Sequence, residues 1–186
     1  MIITTARKPS SKIRIFCKHL SRFTGWEYVT RGKTSLSAFA CEPFLLVGES
    51  RGNPGSLTFF SNGECVLYIR VNVSLENRCA ALLRRHVCPQ AYVNLSERFI
   101  KRGVCEAYPN TAQTEVSVFD KGIDFSVAPV IEGNTTLALA LGKATGLKMG
   151  DSGERIIRAN ERIEFIDRGI PCIILKVLEI RGEGIV

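Results

Sequence analysis

Apolar and polar positions change period several times along the first 75 residues, and each change marks an element. Ile2-Ile3-Thr4-Thr5 is short and β-prone, and Arg7-Lys8-Pro9-Ser10 breaks it. From about Pro9 to Phe23, stepping at about 100° per residue gathers Ile13, Phe16, Cys17, Leu20 and Phe23 on one side. This predicts an amphipathic helix with Pro9 in its first turn. Arg14, Lys18 and Arg22 stack at i, i+4 and i+8 opposite, as a cationic ridge. Glu27 to Thr30 reads as a second short strand, and Ser35 caps a short helix to about Ala40 that carries Leu36 and Phe39 inward. Phe44 to Gly48 is a continuous apolar run of strand length, expected to be covered on both faces. Arg51-Gly52-Asn53-Pro54-Gly55 is rich in breakers and reads as a loop. Asn62-Gly63 accepts the positive φ of a type I′ turn, so Ser56 to Phe60 and Glu64 to Val73 are predicted to form a hairpin. The resulting order is βαβαβββ, an α/β sandwich.

The second half is less clearly punctuated. Leu75, Cys79, Leu82, Leu83 and His86 suit an amphipathic helix from Ser74 to about Arg85, stopped by Pro89. Glu115 to Phe119 and Ile123 to Val127 alternate across Asp120-Lys121-Gly122 and are predicted to pair. Asn134 is placed to cap a helix over Thr135 to Thr145, ended by Gly146; apolar nearly all round, it is expected to be buried. Glu161 to Ile166 and Cys172 to Ile180 are the last two strands, joined at Asp167-Arg168-Gly169. The expected class is α/β with mixed α+β sheets.

Charge sharpens this picture because it is segregated. The 186 residues carry a net +7, and residues 1 to 60 hold nine Lys and Arg against three acids, whereas the remainder holds sixteen against fifteen. Dispersed charge for solubility would not concentrate in one third of the chain, so one face is expected to meet a polyanion. No apolar run is long enough to cross a bilayer as a helix, and no secretory signal is legible, which predicts a soluble cytoplasmic protein with no membrane partner. The seven cysteines are an odd number without a C-x-x-C pair and read as reduced packing residues. Cys79, His86 and Cys88 come nearest to a metal set but lack paired spacing, so neither metal nor cofactor is expected.

Two strings mimic catalytic motifs. Gly32-Lys33-Thr34 resembles the tail of a phosphate-binding P-loop, but Glu27 stands where that loop needs its first glycine, and a carboxylate there repels phosphate. Gly150-Asp151-Ser152-Gly153 resembles the surroundings of a serine-protease nucleophile, yet Glu154 follows and would oppose an oxyanion. No enzyme and no small-molecule substrate are predicted.

Binding chemistry is better represented. A strand running into a helix through Thr4 to Ser10 collects hydroxyls, the cations Arg7 and Lys8, and the unpaired N–H groups of a helix start, which is the composition of a phosphate site. The candidate RNA-binding residues are Thr5, Arg7, Lys8, Ser10, Lys12, Arg14, Lys18, Arg22, Arg31, Lys33, Arg51 and Asn53. RNA is favoured over DNA because no recognition-helix signature occurs, while a glycine-rich loop beside strands suits backbone and loop recognition.

Thr4-Thr5, Arg7-Lys8-Pro9-Ser10, Arg14 and Phe16, Arg31-Gly32 with Ser35-Leu36, and Gly48-Glu49-Ser50 followed by Gly52-Asn53-Pro54-Gly55 keep an order and spacing that resemble the opening of a Brix domain. The resemblance is to the short archaeal members related to the eukaryotic U3 ribonucleoprotein factors of small-subunit assembly. It implies a single Brix domain over residues 1–186, in two similar halves of about 1–74 and 75–186. Each half would be like the anticodon-binding domain of class IIa aminoacyl-tRNA synthetases. It implies a non-enzymatic role in ribosome biogenesis and rRNA processing, with rRNA or its precursor as ligand and other assembly proteins as candidate partners. Two alternatives stay open: an adaptor whose basic face meets an acidic protein, and, a distant third, a hydrolase at Ser152.

Overall fold

In the computed structural model, which describes residues 1–75 and 128–182, every described strand joins one nine-stranded sheet. In chain order the elements are β1 (Ile2–Thr5), α1 (Ser11–Thr24), β2 (Glu27–Tyr28), a 3-10 turn (Leu36–Phe39), β3 (Phe44–Ser50), β4 (Asn53–Ser61) and β5 (Glu64–Leu75). After residue 127 follow β6 (Val130–Glu132), α2 (Thr136–Thr145), β7 (Arg155–Ala159), β8 (Arg162–Asp167) and β9 (Ile170–Gly182). The spatial order is β2-β1-β3-β4-β5-β9-β8-β7-β6. β1 is parallel to both β2 and β3, β6 is parallel to β7, and all other pairings are antiparallel. The architecture is thus mixed α/β of the α+β kind, dominated by a large mixed sheet.

Period-2 alternation sends one side of every strand to a common core. The register aligns Ile3, Leu45, Phe59 and Leu67 across β1, β3, β4 and β5, and Leu175, Ile163 and Ala159 across β9, β8 and β7. All seven are buried in one apolar cluster together with Ile13, Phe16, Leu20 and Phe23 of α1 and Leu137, Ala138 and Leu141 of α2. Both helices therefore cover the same sheet face, α1 against β1 to β4 and α2 against β4 to β7. Helix α1 meets β8 through Phe23 and Phe165, edge to face with ring centroids 5.2 Å apart. An apolar cavity of about 20 Å³ remains between Leu20, Leu57, Phe59, Leu141 and Phe165.

Several expectations are corrected. Helix α1 starts at Ser11, because Ser10 is the cap: its backbone is extended and its hydroxyl accepts from the Ile13 N–H, leaving Pro9 outside the first turn. Arg51 to Gly55 is not a loop. Only Arg51 and Gly52 turn, at φ 51° and 78°, the two positive values of a type I′ hairpin, and β4 begins at Asn53. Pro54 pairs with Glu49 and Gly55 is the extra residue of a bulge, which suits residues lacking an N–H or a Cβ. A Cβ on Gly55 would lie 2.4 Å from that of Ser50. Strand β3 is covered on both faces only at its start, where Phe44 stacks on Phe60 and contacts Phe39 of the 3-10 turn; Glu49 and Ser50 are exposed.

In the second half, Ser74 and Leu75 finish β5 rather than opening a helix; the remainder of that predicted helix and the predicted hairpin of 115–127 lie outside the described residues. Thr135, not Asn134, caps α2: its Oγ1 accepts from the Ala138 N–H at 3.2 Å and donates to the Ala159 carbonyl at 2.7 Å, tying the helix start to β7. Helix α2 is buried on one side only, since Leu139 is 59% exposed. Strands β6 and β7 are absent from the sequence reading. In β7 the residue that opens the core-facing row is Arg155, 7% exposed, which donates to the Phe23 carbonyl at 2.8 Å. A cation there favours the C-terminal end of α1, and this pairing lets a charge occupy a position that the hydrophobic pattern reserves for apolar residues.

Candidate nucleic-acid interface

Because β1, β2 and β3 are parallel, their carboxyl ends lie at one end of the sheet, and the chain leaves each through a short loop there. Residues 6–10 lead from β1 to the start of α1, residues 29–34 leave β2, and Arg51-Gly52 turns β3 into β4. These loops hold Arg7, Lys8, Arg31, Lys33 and Arg51, against the single carboxylate Glu49 beside the turn. Ligands in open α/β sheets commonly bind at the carboxyl ends of parallel strands, where loops can converge without disturbing the core.

A small polar network fixes the arrangement. The Ser10 N–H donates to Glu49 Oε2 at 3.1 Å, and Ser10 Oγ donates to the Gly52 carbonyl at 3.1 Å. Lys12 Nζ donates to Asn53 Oδ1, also at 3.1 Å. The helix start is therefore clamped to the hairpin tip from both sides. Arg31 Nε donates to the Thr34 carbonyl at 2.8 Å, closing the loop after β2 around Gly32, whose φ is 59°.

The threonines hold loops rather than face solvent. Thr5 is fully buried and donates its hydroxyl to the Ala6 carbonyl, and Thr4 donates to the Val29 carbonyl across to β2. Glu49, given no role by the sequence reading, occupies part of the anion-binding ground at the helix start. Its signal was its place in Gly48-Glu49-Ser50, but its contact with Ser10 depends on a fold that brings residues 39 positions apart together.

Arg7, Lys8, Lys12, Arg14, Lys33, Arg51 and Asn53 are exposed, and Ser10, Lys18, Arg22 and Arg31 are half-buried. Arg14, Lys18 and Arg22 run along α1 away from the loop cluster, about 12 Å from first to last at 1.5 Å per residue. Lys12 lies on the other edge of the helix, toward β4. The site is thus a basic end with a ridge leading from it. Beside the ridge, burial and then the neighbouring Arg22 lower the His19 pKa, so the ring is neutral at pH 7. Burial raises the Tyr28 hydroxyl, and pushes the Cys17 thiol up to about 12, which makes it a packing group. The four described cysteines are free thiols.

Ser152 sits with Asp151, Gly153 and Glu154 in an exposed segment between α2 and β7. Among the described residues no three His, Cys, Asp or Glu side chains group as metal ligands, and no helix is long and apolar enough to cross a membrane.

The fold is shared with solved archaeal proteins. The chain superposes on the crystal structure of Mil, an archaeal Imp4-like protein, with a TM-score of 0.61 and 25% identity, covering 98% of this chain and 99% of that one. A probable ribosomal biogenesis protein from Aeropyrum pernix K1 has the same fold at a TM-score of 0.58 and 21% identity, over 95% and 93% of the two chains. No protein-family profile matches.

Sequence relatives carry the likeness further. A probable Brix domain-containing ribosomal biogenesis protein from Archaeoglobus fulgidus is 42% identical over 79 residues, 41% of this chain and 52% of that protein. Its namesake in Methanothermobacter thermautotrophicus is 40% identical over 97 residues, 48% and 63%. The chain is a homologue of these archaeal Brix domain-containing ribosomal biogenesis proteins, and the matched segments span from about half to 63% of the length of these relatives.

Proposed function

We propose that the chain is a non-enzymatic ribosome biogenesis factor that binds ribosomal RNA or its precursor through the basic end and α1 ridge of its N-terminal half. The observation that carries this is the convergence of Arg7, Lys8, Arg31, Lys33 and Arg51 in three loops at one end of the parallel strands, around a single carboxylate. Such an array neutralises backbone phosphates without reading a base sequence, so affinity is electrostatic and falls steeply with salt. The Ser10, Glu49, Gly52 and Lys12–Asn53 clamp holds the array rigid, lowering the ordering cost of binding.

The same reading takes residues 1–186 as one Brix domain with halves at about 1–74 and 75–186, each like an anticodon-binding domain. It is supported by the repeated order of a parallel pair bridged by a helix and followed by two antiparallel strands, in β1-α1-β3-β4-β5 and β6-α2-β7-β8-β9. Cytoplasmic location and further assembly proteins as partners belong to it as well.

Crosslinking the protein to RNA in its own cells, then sequencing the attached RNA, tests the proposal without assuming a ligand. Enrichment at one region of pre-rRNA is expected. Scattered or absent crosslinks would overturn it and favour a protein adaptor whose basic face meets an acidic surface.

A further inference from the structure

The face of the sheet turned away from both helices holds a second concentration of cations. Its residues alternate with the core row, and the register sets Ser56, Arg70 and Glu179 in one line across β4, β5 and β9, and Asn72, Lys176 and Arg162 in the next across β5, β9 and β8. Arg70, Asn72, Lys176 and Arg162 are all exposed. Carboxylates on this face are already engaged: Glu164 pairs with Arg162 at 2.6 Å and Arg158 at 3.6 Å, Glu132 pairs with Arg158 at 3.2 Å, and Glu179 accepts from Arg181 at 2.6 Å. Arg70 and Lys176 have no carboxylate within ion-pair distance among the described residues. Lys176 stands directly opposite Arg162, whose guanidinium is held by Glu164, so Lys176 and Arg70 are the cations of this face left for a ligand anion.

We infer that Arg70, Asn72, Lys176 and Arg162 form a phosphate-binding track for single-stranded RNA on the sheet face away from α1 and α2, an inference that rests on the RNA-binding role proposed above. The track crosses the β5–β9 seam, stepping at the strand spacing of about 4.8 Å along a line that a linear polyanion can follow. Half-exposed Tyr68, two residues before Arg70 and in register with Thr58 and Arg181, adds a ring for base stacking, as single-strand binders use. Strand β5 neighbours β4, whose start carries Asn53, so an RNA strand held at the basic end can continue onto this face.

Oligouridylate binding to the full chain, titrated against salt, tests the track. Replacing Arg70→Gln and Lys176→Gln together should weaken binding about tenfold at low salt and flatten the log–log salt slope by about 0.7 per lost contact. Lys176→Gln alone, without RNA, should leave the thermal midpoint within about 1 °C of wild type, because Glu164 already balances Arg162. A wild-type chain that does not bind oligouridylate refutes the RNA reading as a whole. Wild-type binding that is lost with Arg7→Glu, Lys8→Glu and Arg51→Glu but unchanged in R70Q/K176Q overturns the sheet-face track alone. A lowered midpoint in K176Q alongside weaker binding would make the row structural and would also overturn it.

Discussion

The first five strands with α1 and the last four with α2 use like connections for different chemistry. In both sets a strand feeds a helix that returns to a parallel neighbour, and an antiparallel meander follows. At the entry to α1 the loop carries Arg7 and Lys8, whereas the entry to α2 is Gly133-Asn134. The hairpin after the first parallel pair turns at Arg51-Gly52, and its counterpart between β7 and β8 passes through Asn160-Glu161. Helix α1 turns a cationic ridge outward, whereas α2 exposes Leu139. Where the loops differ in charge and the sheet order does not, the difference between the two ends is assigned to the loops, which the shared strand order positions.

The largest expected effect breaks the joint between the two regions. Phe165→Ala removes the ring that meets Phe23 edge to face and leaves a cavity in the shared core, which should cost about 3–5 kcal/mol in urea unfolding. An effect below about 1 kcal/mol would show that the two regions are stabilised independently. Arg155→Leu should cost about 2–3 kcal/mol, because the Phe23 carbonyl loses a charged donor while remaining buried.

The next test separates the basic end from the ridge. Changing Arg14, Lys18 and Arg22 together to Glu should leave the circular dichroism spectrum unchanged and lower the log–log salt slope of RNA binding by about 0.7 for each contact made. An unaltered slope would confine binding to the loops.

The smallest effect is on pH dependence. The pKa of His19 is lowered in the fold, so the unfolded chain takes up a proton first as pH falls below the ordinary value of 6.5. Stability is therefore full above that value and declines as pH falls through the folded pKa. The thermal midpoint of His19→Gln should change less over that window, and an unchanged profile would remove His19 from the account.

Much of this was legible in the sequence, and the failures have physical causes. The period of Ile13, Phe16, Cys17, Leu20 and Phe23 identifies α1, and Asn62-Gly63 identifies its hairpin, because both signals are local. Pro54 and Gly55 misled, since residues that break a regular strand are the ones a bulge accepts. Strand β7 was hidden by Arg155, whose burial depends on a carbonyl 132 positions away. At the site, segregated charge marked Arg7, Lys8 and Arg51, but the burial of Thr5 and the hold of Glu49 on Ser10 arise only when β1, β3 and α1 come together.

Location of charge, rather than its amount, is the central claim, and matched charge reversals test it directly. One variant carries Arg7→Glu, Lys8→Glu and Arg51→Glu, and the other carries Lys143→Glu, Lys148→Glu and Arg168→Glu, exposed positions in the second region. Both change net charge equally. RNA affinity measured at several salt concentrations should collapse in the first with a flattened slope and stay near wild type in the second; equal losses in both would contradict the claim.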